Sequence, residues 1–166
     1  VRHILDKAKI SPEKIYMEQL YTFSEVKRDP RGRVVAVAYL GLVPWQNLSE
    51  KEKENSGNVA WISVKSMGKL GYDHNKVVDT AIERLRARVS YSTIASKLLP
   101  EEFTLVELEK IYKTILGKKI DRRNFRKKVK KLKIVVPLGK KRTGMKWRPA
   151  MLHSFRSKKV ATMDIL

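Results

Sequence analysis

The sequence predicts an α+β protein in two parts, and three observations carry that reading. Residues 17–43 hold two β-prone runs separated by a turn. From about residue 75 the apolar period lengthens from that of a strand to that of a helix. After residue 103 come a capped helix, a tight turn, a strongly basic helix and a glycine-bounded hairpin, the order of a winged helix-turn-helix.

In chain order, residues 17–24 (MEQLYTFS) carry the aromatic and β-branched types that suit a pleated surface, and predict a strand. KRDPRGR, residues 27–33, reads as a turn around Asp29-Pro30 and Gly32. Residues 33–43 predict a second strand, whose apolar run stops at Pro44 and is too short to cross a bilayer. The polar residues 46–58 are expected to form a flexible loop, NVAWISV (58–64) a third strand, and GKLGYD (68–73) another loop. Val78, Ile82, Leu85 and Val89 then mark one face of a helix, with Asp73 or Asn75 as its cap. YSTIASKLLP, residues 91–100, is expected to be a short connecting helix ending at Pro100, which divides the chain into domains 1–90 and 91–166.

The second part has the sharper pattern. Thr104 and Glu107 form a capping box, each side chain satisfying the other residue's free backbone N–H. Leu105, Leu108, Ile111, Tyr112 and Ile115 make an apolar stripe, and Gly117 stops the helix. Asp121 caps the next helix, whose apolar positions are Phe125, Val129 and Leu132. Arg122, Arg123, Arg126, Lys127, Lys130 and Lys133 fall off that stripe. IVVPL makes a strand, GKKRTGMK a hairpin tip, and WRPAMLHSF the return strand.

Charge points to a partner. The 166 residues carry a formal charge of +20, and it is uneven: residues 101–166 hold 20 Lys and Arg against 6 Asp and Glu. Such a field repels itself unless a polyanion is present. Nucleic acid is the expected partner, an anionic membrane surface the lesser alternative, and solubility the plain reading. Cysteine is absent, which excludes disulfides, thiol catalysis and cysteine-zinc sites. His3, His74 and His153 have no metal-binding spacing, so no metal or cofactor is expected. The opening VRHILDKAKI lacks the apolar core of a secretory signal, and the cytoplasm is the expected compartment.

The basic helix has no acid between Arg122 and Lys133, whereas a solvated helix normally interleaves acids with its bases. A helix anchored by one apolar face and cationic elsewhere fits the major groove of duplex DNA. Arg122, Arg123, Asn124, Arg126 and Lys127, at its N-terminal end, are the expected base readers, since Arg suits guanine and Asn adenine. Lys130, with Lys128, Lys131 and Lys133, is expected at phosphates, and Lys140, Lys141, Arg142 and Lys146 form a wing that tracks the backbone. Double-stranded RNA hides its major groove, and single-strand readers expose stacking aromatics that this region lacks. Because helix-turn-helix proteins commonly read paired half-sites, a homodimer is expected.

Three quoted stretches carry a resemblance across nearly the whole chain: EQLYTFSEVKRDPRGRVVAVAYLGLVP, then YDHNKVVDTAIERLRARVSYSTIASKLLPEEFTLVELEKIYKTILGKKIDRRNFRKKVKKL, then RPAMLHSF. The sequence resembles the Nudix-related transcriptional regulators of the NrtR type. That resemblance implies a Nudix-like α/β/α effector domain before the winged helix, transcriptional repression, and an effector such as ADP-ribose, a related nucleotide or a sugar-related ligand. It also implies first strands that this sequence does not contain, so the Nudix-like domain is expected to be incomplete. The family's catalytic box ends R-E-U-x-E-E-x-G-U, U being a bulky apolar residue. Here it reads Arg2-His3-Ile4-Leu5-Asp6-Lys7-Ala8-Lys9-Ile10, with His3 and Lys7 in place of metal-binding Glu and Lys9 in place of Gly. An ammonium repels the magnesium that the hydrolytic chemistry needs, so no hydrolysis is expected. The alternatives are a Nudix hydrolase acting on ADP-ribose or a related nucleoside diphosphate derivative, and a nucleic-acid-associated protein without an effector. Within the effector domain, Arg28, Arg31 and Arg33 around the turn are the expected diphosphate ligands, because guanidinium forks match phosphate oxygens.

Overall fold

A computed structural model describes residues 10–54, 60–143 and 149–165. The chain divides into two compact units, Val1–Arg84 and Leu85–Leu166, and the division falls inside one long helix.

In the first unit, β1 (Tyr16–Phe23) pairs antiparallel with β2 (Ala36–Leu42) from Tyr16 opposite Leu42 to Phe23 opposite Ala36, with a register irregularity between Gln19 and Tyr21. Both strands fall where their composition places them. Leu20, Phe23, Leu42 and Leu48 are buried, while Tyr21, Val35, Val37 and Tyr39 are exposed. The polar stretch expected as a loop contains a 3-10 turn, Trp45–Asn47, and a short helix α1 (Glu50–Lys53), started by a capping box between Ser49 and Glu52. Lys14 ion-pairs with Glu52 at 2.7 Å, and Trp61 Nε1 donates to the Glu52 carbonyl at 2.7 Å. The expected third strand does not form over its described residues. Residues 60–63 are irregular and Val64–Ser66 is a 3-10 turn. A strand needs a ladder partner, and Trp61, Ile62 and Val64 instead stand exposed.

Helix α2 (His74–Tyr91) carries the predicted apolar stripe, and Val89 is its one fully buried member. Asp73, expected as its cap, instead gives both carboxylate oxygens to Arg28, and Asn75 accepts from the Leu70 backbone N–H. The segment expected as a short helix after it is a 3-10 turn, Thr93–Lys97.

The second unit is a three-stranded antiparallel sheet, in the order β3 (Phe103–Thr104), β5 (Met151–Phe155), β4 (Val135–Lys141), packed with α3 (Leu105–Leu116) and α4 (Arg122–Lys131). Each feature of α3 follows the sequence. Thr104 and Glu107 make the reciprocal capping box, and Gly117 ends the helix at φ 66°, a left-handed conformation that favours glycine. Pro137 is tolerated because β4 is an edge strand. Strand β4 continues through Lys140 and Lys141, which were expected in the hairpin tip. A register irregularity between Pro137 and Lys141, with Gly139 at φ 70°, carries the strand past that point. Ile94, Phe103, Leu108, Tyr112, Val129 and Ile165 form the core. The last residues return to the end of α2: Met163 N–H donates to the Tyr91 carbonyl at 2.8 Å and Ile165 N–H to the Ser90 carbonyl at 2.9 Å, occupying helix-terminal acceptors. Among the described residues no helix is long and apolar enough to cross a membrane.

Candidate nucleic-acid interface

Helix α4 begins at Asp121, whose carboxylate accepts from the Asn124 backbone N–H at 2.7 Å. Its apolar side is seated. Phe125 and Val129 are buried, Leu132 is half-buried, and the Phe125 ring meets the buried Tyr112 ring at 4.9 Å between centroids. Burial of that phenol pushes its pKa up. The 100° step per residue turns the opposite side of the helix outward. Arg123, Lys127, Lys130 and Lys131 lie there, all exposed and, among the described residues, all without an ion-pair partner.

The flanks of α4 behave differently, and the sequence did not show it. Glu109 of α3, nearly buried, ion-pairs with Arg122 Nε at 2.7 Å and with Arg126 Nη2 at 3.1 Å. Arg122 nevertheless remains 77% exposed, against 39% for Arg126, whose Nε is buried without a hydrogen-bond partner among the described residues. Lys128 ion-pairs with Asp164 at 3.2 Å. The helix therefore lacks acids of its own but receives them from other elements. One signal for Glu109 was legible: it sits between Leu108 and Tyr112, on the buried stripe of α3.

The expected wing splits the same way. Arg142 pairs with Glu107, the capping carboxylate of α3, and donates to the Glu102 carbonyl at 3.2 Å. Burial raises the Glu107 pKa, but the Thr104 N–H and the Arg142 guanidinium outweigh it and hold the carboxyl below its usual range. Lys140 pairs with Glu102 at 2.7 Å, Lys141 is exposed, and Lys146 lies outside the described residues. Past α4 the chain turns through Lys133 at φ 53°, and Lys133 lines a cleft with Arg126, Lys130 and Arg156 between the helix and the sheet.

In the first unit the arginines around the turn are largely engaged. Arg28 is almost buried and forms a two-pronged pair with Asp73 at 2.8 and 2.9 Å. Arg31 pairs in the same way with Asp29 and lies over the Tyr72 ring at 5.2 Å. Arg33 is exposed. Residues 2–9 of the degenerate box lie outside the described residues. Among the described residues no group of three or more His, Asp or Glu is placed to hold a metal ion.

A capped helix, a tight turn, a second helix seated on the first, and a β-hairpin beside them define the second unit as a winged helix-turn-helix domain. Residues 95–155 match the family described as the NrtR DNA-binding winged helix domain. Over 156 residues the chain is 31% identical to the "ADPR responsive transcriptional repressor NtrR" of Acinetobacter baylyi, covering 93% of this chain and 61% of that protein, so it spans about three-fifths of the curated relative's length. Shewanella oneidensis NrtR, solved alone and complexed with a 27mer DNA, is 32% identical over 93% of this chain and 70% of the solved chain, with TM-scores of 0.76 and 0.81. A MutT/nudix family protein of Enterococcus faecalis, 22% identical over 94% of this chain and 68% of its own, shares the fold with a TM-score of 0.64. The chain belongs to the NrtR family.

Proposed function

We propose that this chain is a DNA-binding transcriptional repressor whose Nudix-like unit senses ADP-ribose or a related nucleotide or sugar ligand and does not hydrolyse it. The observation that carries the reading is the outer face of α4: Arg123, Lys127, Lys130 and Lys131 are exposed and, among the described residues, unpaired, on a helix whose other face is buried. Duplex DNA supplies a groove of that width lined by phosphates on both sides. The relatives named as an ADPR responsive repressor and as an NrtR complexed with DNA support the same partner and effector. In this reading Arg122, Arg123 and Asn124 meet base edges. Lys127, Lys130, Lys131 and Lys141 meet phosphates. Arg126 and Arg142 contribute mainly by bracing the interface, because Glu109 and Glu107 already hold them. The working unit is a homodimer in the cytoplasm.

The effector side rests on fewer free groups. Arg33 is the one of the three without an ion-pair partner among the described residues, and a diphosphate reaching Arg28 or Arg31 would have to displace Asp73 or Asp29. The absence of hydrolysis follows from Lys7, which stands where the box requires a metal-binding Glu. Two measurements test the proposal. Affinity for a duplex should fall linearly on a log–log plot against salt, by about 0.9 per phosphate neutralised. Incubation with magnesium and ADP-ribose should release no AMP. A flat salt response would overturn DNA binding, and turnover would overturn the non-catalytic reading.

A further inference from the structure

Arg122 and Arg126 are one turn apart on α4 and share a single carboxylate from another helix. Glu109 is 7% exposed, in a chain that keeps most of its acids at the surface. A buried carboxylate is costly, and its retention among apolar neighbours such as Leu108 and Tyr112 asks for a role beyond stability. Its closest approach to Arg122 is at Nε, 2.7 Å away. Among the described residues neither Nη nitrogen of Arg122 makes a hydrogen bond, and the side chain is 77% exposed. A free arginine has many rotamers to lose on docking. One already gripped at Nε loses fewer and still presents two donors, the fork that matches guanine O6 and N7. Among the described residues Lys127, Lys130 and Lys131 have no such brace, as suits contacts to phosphates, which tolerate a mobile point charge.

The geometry points to Glu109 as a specificity-determining positioning residue: with Arg126 completing its charge balance, it holds Arg122 so that the outer edge of the guanidinium reads a base. This rests on the DNA-binding reading above and adds to it a residue that itself touches no DNA.

The test uses the full chain. A preferred duplex is recovered with the wild-type protein from a random-sequence duplex pool. Binding to it and to a scrambled duplex is then measured over a salt series for wild type, Glu109→Gln, Glu109→Asp, Arg122→Ala and the Arg122→Ala/Glu109→Gln double variant. Glu109→Gln should lower the preferred-to-scrambled affinity ratio by about tenfold, the scale of one lost bidentate base contact. Scrambled binding should hold or tighten, with a salt slope steeper by about one, because a competing anion has gone. In the Arg122→Ala background Glu109→Gln should lower the ratio no further. Glu109→Asp keeps the charge but withdraws it by one methylene, and should lower the ratio without tightening scrambled binding, which keeps the test open if Glu109→Gln does not fold. An unchanged ratio in the folded variants, equal losses on both duplexes, or a full additional loss in the Arg122→Ala background would overturn the assignment. A wild type that recovers no preferred duplex would instead overturn the regulator reading itself.

Discussion

The two units spend their arginines differently. Around the turn of the first, Arg28 and Arg31 each face a carboxylate with both prongs of the guanidinium, so the charge is consumed where it stands. In the second, acids brace the edges of α4 and the wing, while among the described residues the outermost stripe of the helix is left unanswered. Counting bases along the sequence treats both regions alike. The partners separate a structural arginine from one available to a ligand. The cores differ too. In the second unit Val89, Ile94, Phe103, Leu108, Tyr112 and Val129 are buried almost completely, while the two-stranded sheet of the first leaves Tyr21, Val37 and Tyr39 exposed.

The contrast can be broken by experiment. The largest effect is expected from reversing two unpaired charges, Arg123→Glu with Lys127→Glu. Duplex affinity at moderate salt should drop by on the order of a hundredfold, with a salt slope shallower by about two, read by fluorescence anisotropy. The matching reversal of Arg31 should leave duplex binding unchanged, and if it does not, the division into used and unused bases fails. Next, Arg28→Ala should strand Asp73 and lower the thermal midpoint by several degrees in differential scanning calorimetry. Unchanged stability with lost nucleotide binding would instead make Arg28 a ligand residue. A pH series gives a smaller effect. Arg31 holds the Asp29 carboxyl, and Lys14 the Glu52 carboxyl, at a pKa of about 2, below the ordinary 3.8 and 4.5. Carboxyls with depressed folded-state pKa bind protons more readily in the unfolded chain, so their contribution is complete above about pH 5 and is lost as pH falls toward 2. Thermal midpoints should be level from pH 7 to 5 and decline below. The smallest effect is expected at the α4 cap: Asp121→Ala should cost about 1 kcal/mol in denaturant unfolding and leave the salt slope intact.

Much of the second unit was legible because its signals are local. A capping box needs only Thr104 and Glu107, a helix stop needs Gly117, and an apolar stripe needs Phe125, Val129 and Leu132 at helical spacing. The same logic would have found α1, since Ser49 and Glu52 have capping-box spacing, but the surrounding charge read as loop. What failed depends on distant partners. NVAWISV has strand composition without a described neighbour to pair with, and Asp73 has cap composition but lies opposite Arg28. The interface divided in the same way. The exposed stripe follows from periodicity, whereas the grip of Glu109 on Arg122 and Arg126 joins positions 13 and 17 residues apart and appears only when α3 and α4 are packed.

Lys133 sits at φ 53°, a conformation that costs a side-chain-bearing residue about 1 kcal/mol relative to glycine. Folding alone would favour glycine at this turn, yet the chain keeps a long cation in the cleft beside Lys130 and Arg156. A programme of thermostabilising substitutions would therefore replace Lys133 early and gain ruggedness, and in the proposed DNA-binding reading it would give up a cation beside the helix that faces the duplex.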